Sequence, residues 1–176
     1  MSDNDEVIVS SEQIYDGRVV KLSVAQVTLP DGTTAKREII HHPGAVAMVA
    51  MTDDDEILLV RQYRTAAGKS LLEVPAGTLE PGEDPAFCAV RELQEETGYK
   101  PGHLSELGGI YVAPGYTTEY IHLFFATSLT ESRLEADSDE FIEVVKVSLY
   151  DAVKMIERGE ICDGKSVSAL LRVYML

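Results

Sequence analysis

Only two cysteines, Cys88 and Cys162, occur in the 176 residues, and they form neither a C-x-x-C pair nor any other metal-ligand spacing. A disulfide framework and a thiolate metal site are therefore not organising features, and both thiols are expected to be reduced. No apolar run reaches the roughly 20 residues needed to cross a bilayer, and no charged-then-apolar segment opens the chain. With reduced thiols, this predicts a cytoplasmic protein. Basic residues are scarce: 15 Lys and Arg against 30 Asp and Glu give a net charge of −15. A surface of that sign repels nucleic-acid backbones and anionic membranes, so neither is expected as a partner. An anionic small substrate would need positive charge supplied locally. The histidines, His41, His42, His103 and His122, have no metal-binding spacing and are expected to be structural. Low-complexity tracts and internal repeats are also missing. What remains, with 45% apolar content, is enough for a substantial core.

Short strand-like runs dominate the chain. Residues 12–40 read as an antiparallel meander, with strand-like 19–24 and 25–29, a turn at Pro30-Asp31-Gly32 and a strand over 35–41. Residues 46–51 and 56–62 flank the polar turn 52–55 and predict a hairpin. Further strands are expected at 71–74, 107–112, 121–127 and 143–148. Helices are expected over 149–158, stopped by Gly159, and over 166–175. The fold class is α/β.

One further helix carries the chemistry. Pro81-Gly82 turns the chain, Glu83 or Asp84 can cap, Pro85 suits a first helical turn and Gly98 suits a left-handed stop, predicting a helix over 85–97. Glu92, Glu95 and Glu96 then share one side, while Ala86, Ala89, Val90 and Leu93 supply an apolar stripe. Stacked carboxylates repel, and a hard cation with oxygen ligands is the simplest compensation. Arg91 can pair with Glu95 one turn on. An acidic helix face in isolation is more often merely solvated.

The wider segment decides between those readings. GTLEPGEDPAFCAVRELQEETGY, residues 77–99, fits G-x5-E-x7-R-E-U-x-E-E-x-G-U at all nine fixed places, U being bulky and apolar. A random window does so with a probability on the order of one in a billion. The pattern resembles the box of the Nudix hydrolases, Mg-dependent enzymes that cut a diphosphate linked to another group. The resemblance implies an α/β/α sandwich with a mixed sheet, here preceded by the antiparallel meander. It implies Mg2+, with Mn2+ as the alternative, held by Glu92, Glu95, Glu96 and the carbonyl of Ala76. Gly77 would let its loop approach the metal.

Residues outside the box narrow the substrate. Pro114, fifteen places beyond Tyr99, and the lead-in segments at 42–46, 60–64 and 72–77 resemble the ADP-ribose pyrophosphatase branch. By that resemblance Arg64 contacts the diphosphate, Glu73 lines the site and Pro114 belongs to the substrate-binding set. Arg61 reads as a surface charge. The acidic loop 131–140 resembles one that carries a catalytic glutamate; Glu140 is the candidate general base and Glu135 the next. The resemblance also makes residues 1–42 a dimerisation region and 43–176 the hydrolase domain of a homodimer. ADP-ribose or a related ADP-sugar is the expected substrate, giving AMP and a sugar phosphate. GDP-mannose or another nucleoside diphosphate sugar is the enzymatic alternative, and a non-catalytic ADP-ribose-sensing module the third.

Overall fold

The computed structural model describes residues 4–135 and 141–176. Its first three strands, β1 (Val7–Asp16), β2 (Lys21–Thr28) and β3 (Thr34–His41), form an antiparallel sheet in the order β1-β2-β3. The β2–β3 turn has the chemistry read from sequence: Asp31 Oδ1 accepts from the Thr33 amide at 2.9 Å and hydroxyl at 2.6 Å, and Gly32 takes φ +83°. The two strand-like runs 19–24 and 25–29 are one strand, since Lys21 through Thr28 pair without interruption against β3. The first member of the meander starts at Val7, earlier than the sequence suggests. These strands and the segment Tyr111–Tyr120 make one compact unit (Met1–Gly44 with Tyr111–Tyr120). The segment is stitched in by the Ile40 amide donating to Tyr116 O at 2.8 Å, the Thr118 amide to Ile40 O at 2.9 Å and the His42 amide to Thr118 Oγ1 at 2.9 Å.

The second unit, Ala45–Ile110 with Ile121–Leu176, has a seven-stranded mixed sheet. β4 (Ala45–Met51) pairs antiparallel with β5 (Glu56–Arg64) and parallel with β9 (Tyr120–Glu131). β10 (Glu143–Ser148) and β6 (Lys69–Glu73) pair antiparallel with β5, and β7 (Ala76–Thr78) with β4. β8 (Tyr99–Tyr111) closes the order β10-β5-β4-β9-β8. It is more than twice as long as the run expected from 107–112, because an edge strand tolerates Pro101, whose missing N–H need not face a neighbour.

β4 shows why helices cover both faces. Its side chains alternate, and all six of its first residues are buried. Ala45, Ala47 and Val49 join Ala152 of α2 (Leu149–Glu157) and Ala169, Leu170 and Val173 of α3 (Gly164–Tyr174). Val46, Met48 and Ala50 join Cys88, Ala89 and Leu93 of α1 (Pro85–Thr97). The result is the expected α/β/α layering. At 13 residues α1 is too short to be stable alone, so packing holds it; each fully buried aliphatic side chain contributes about 1.5–3 kcal/mol. Among the described residues no helix is long and apolar enough to cross a membrane.

Candidate active site

Local signals fix α1 where the sequence placed it. Asp84 is the cap, its Oδ1 accepting from the Ala86 amide at 2.8 Å and the Phe87 amide at 3.4 Å; Gly98 ends the helix at φ +80°. Glu83 is thereby left for another task. Its two oxygens accept from Arg91 Nε and Nη2, both at 3.0 Å, while Arg91 Nη1 donates to Glu92 Oε1 at 2.7 Å and to Glu95 Oε2 at 3.0 Å. One guanidinium thus holds three carboxylates. The pairing with Glu95 was legible from the four-residue spacing; the bidentate pairing with Glu83, which lies before the cap of α1 and eight residues back, was not.

Arg91 draws the Glu83 carboxyl down to about 2 from its ordinary 4.5, chiefly through their hydrogen bonds. A depressed folded-state value stabilises the fold above the unfolded-state value and loses that contribution as pH falls through the folded one. Thermal denaturation followed from pH 4.5 toward about 2 should therefore show a falling Tm, and Glu83→Gln should flatten part of that slope. Next to this hub, burial pushes the Cys88 thiol up to about 12, so it is an inert packing group.

Two more contacts bring β7 against the acidic side of α1. The buried Glu96 carboxylate accepts from the Ala76 amide at 3.0 Å. At Gly77 an added Cβ would lie 1.9 Å from Glu92 Cδ and 2.1 Å from its Oε1, so the missing side chain is the space that the Glu92 carboxylate fills. Ala76, Gly77, Glu92 and Glu96 therefore meet at one place, with Glu95 joined to them through Arg91. Among the described residues no group of three or more His, Cys, Asp or Glu side chains is arranged to hold a metal ion.

Arg64 and Glu73 are brought together as well. Arg64 Nε and Nη2 donate to Glu73 Oε1 and Oε2, each at 2.9 Å. Glu73 is only 1% exposed and lies beneath Arg64; burial pushes its carboxyl up, but Arg64 and Lys165 together hold it below the usual value. Lys165 Nζ donates to Glu73 and, at 2.9 Å, to Asp163 Oδ2. Sequence reasoning missed this lysine, because the helix expected from residue 166 begins at Gly164 and so takes Lys165 into its first turn, where the backbone dipole disfavours a cation.

Arg61, Pro114, Glu135 and Glu140 remain. Arg61 pairs with Glu143 at 3.3 Å on the surface, as a strand charge would. Pro114 belongs to the first unit, in the Tyr111–Tyr120 segment. Glu140 lies outside the described residues, and Glu135 is exposed. The start of their loop is tied to the end of α1: the Ser132 amide donates to Gly98 O at 2.8 Å, and Gln94 Nε2 donates to Ser132 Oγ at 2.9 Å. Three histidines have the local partners of structural groups: His41 bonds the Ser23 hydroxyl at 2.8 Å, His42 Nδ1 accepts from the Gly44 amide at 3.1 Å, and His103 bonds Ser105 at 3.0 Å.

The model of the NUDIX domain matches residues 41–170, and the chain belongs to that family. It is 44% identical over 172 residues to an ADP-ribose pyrophosphatase of Bacillus subtilis (strain 168), covering 97% of this chain and 93% of the relative. It is 45% identical over 168 residues to a methanol dehydrogenase activator of Bacillus methanolicus, covering 94% and 91%. A crystal structure titled ADP compounds hydrolase superposes with a TM-score of 0.90 at 25% identity, covering 99% of this chain and 95% of that one.

Proposed function

We propose that the protein is a divalent-metal-dependent hydrolase of ADP-ribose or a related ADP-sugar, releasing AMP and a sugar phosphate, with Mg2+ as its ion and Mn2+ as a substitute. The observation that carries this reading is the meeting of Glu92 and Glu96 with the Ala76 backbone and the side-chain-free Gly77. Such a donor set is all hard oxygen, which suits Mg2+ held by a few carboxylates and its own waters. Arg91 offsets the mutual repulsion of Glu92 and Glu95 in the structure described, a task that the ion shares once bound. A bound divalent cation neutralises phosphate oxygens and acidifies a water.

The chain's own residues do the rest. Glu92, Glu95 and Glu96, with the Ala76 carbonyl, are the ligands. Arg64 offers a phosphate oxygen the part of its guanidinium that Glu73 does not use, and Pro114 contributes to substrate binding. Glu140, or next to it Glu135, takes the proton of the attacking water; the water oxygen bonds to one phosphorus as that phosphorus parts from the bridging oxygen, leaving one phosphate on each product. AMP release from ADP-ribose that requires Mg2+ and is abolished by EDTA is the expected result of a substrate panel that includes GDP-mannose. Faster cleavage of GDP-mannose would overturn the substrate, and ADP-ribose binding without turnover would favour a sensing role. The Bacillus methanolicus relative, named for activating another enzyme, gives that last outcome its interest.

The cytoplasm is the proposed location, in keeping with two free thiols. A homodimer formed through residues 1–42 is supported by β1, an edge strand whose Val7, Ile8, Val9, Ile14 and Tyr15 are all exposed. Light scattering that reports a monomer at micromolar concentration would dismiss it.

A further inference from the structure

We propose that Lys165 is a positioning residue for substrate binding: clamped between Glu73 and Asp163, its ammonium fixes the Glu73 carboxylate and, through it, the guanidinium edge that Arg64 presents to a diphosphate. The inference rests on the assignment of Arg64 to the diphosphate. Lysine side chains normally reach for water, yet this one is 14% exposed and sits in the first turn of α3, against the helix dipole. Two carboxylates hold it there. Asp163 Oδ2 accepts from Lys165 while also capping α3, accepting from the Ser166 amide at 3.0 Å and hydroxyl at 2.6 Å. The Ser166 oxygen in turn accepts from the Val74 amide at 2.9 Å. The first turn of α3 therefore grips Glu73 and Val74, adjacent in the chain, through two separate bonds.

Charge explains why the grip matters for binding. Arg64, Lys165, Glu73 and Asp163 together are neutral, so the partly exposed Arg64 edge meets an incoming phosphate without net repulsion. Without the lysine charge the group is net negative, and one buried Glu73 oxygen loses a donor. The Val74–Ser166–Asp163 bonds remain, so the fold persists while the phosphate contact weakens.

Steady-state kinetics with ADP-ribose and Mg2+ test this in Lys165→Met, Lys165→Arg and Arg64→Lys, with thermal denaturation of each. Lys165→Met should raise KM by about tenfold, the effect of one charge-assisted hydrogen bond, with kcat within about twofold; Tm should fall, since Glu73 and Asp163 each lose a cationic partner. Lys165→Arg should restore KM. An unchanged KM in Lys165→Met beside a raised KM in Arg64→Lys overturns the clamp alone. An unchanged KM in Arg64→Lys removes the assignment of Arg64 to the diphosphate, and this proposal with it. Loss of activity in step with a lowered Tm, not restored by arginine, makes Lys165 merely structural and also overturns it.

Discussion

Replacing Glu96 by glutamine should lower kcat by about a thousandfold or more while the protein stays folded, the size expected when a cation that stabilises the reacting phosphate is held less well. The amide is the informative substitution because its carbonyl oxygen can still accept from the Ala76 amide, the bond that ties β7 to α1. The negative charge disappears, and the second oxygen becomes a donor NH2. Glu96 is 5% exposed in a layer where Leu93 and Ala89 are fully buried, so a neutral side chain of the same shape is tolerated there, and removing a buried charge costs the fold little. The measurement is turnover of ADP-ribose across a Mg2+ titration, beside a thermal melt. A kcat close to wild type at saturating metal would exclude Glu96 from the metal set.

Gly77→Ala should be nearly as damaging to catalysis, for a different reason. Its methyl would stand 1.9 Å from Glu92 Cδ, which no real contact allows, so the Glu92 carboxylate must swing away. That carboxylate is the far end of a flexible side chain, and the stability cost is correspondingly modest, about 1–3 kcal/mol at most for an added methyl group. A ligand displaced by an ångström, however, can cost about a hundredfold in rate. Activity falling by that order with only a small drop in Tm is the expected pattern. A variant with normal kinetics would mean that Glu92 is free to act from another rotamer, and that Gly77 does not shape the site.

The helix was legible in the chain because its signals are local: Asp84 before Pro85 at one end and Gly98 at the other set bounds that the structure reproduces, and the three-and-four spacing of Glu92, Glu95 and Glu96 sets their common side. β10 was equally local, its valines Val144, Val145 and Val147 being β-branched strand formers. Two strands were harder. β8 opens with Tyr-Lys-Pro-Gly, which reads as a turn, and only its place at the edge of the sheet makes a strand of it. β1 has no buried residue at all, so it lacks the inside-outside alternation by which strands are recognised. In the site, what escaped the sequence is what departs from helical spacing: Lys165 and Glu73 are 92 residues apart, and Arg91 reaches back past the start of α1 to Glu83. Family resemblance supplied Arg64 and Glu73 as members of the site, but not that one lies buried under the other.

Because Ile40 and His42 bond to Tyr116 and Thr118, the opening of the chain and the Pro114 segment form one piece of architecture drawn from two distant stretches of sequence. Cutting the chain at Gly44 would not excise a module; it would orphan the backbone groups of the later stretch. Insertions and recombination events are correspondingly constrained, since Tyr111–Tyr120 and the opening strands must be inherited as a matched set.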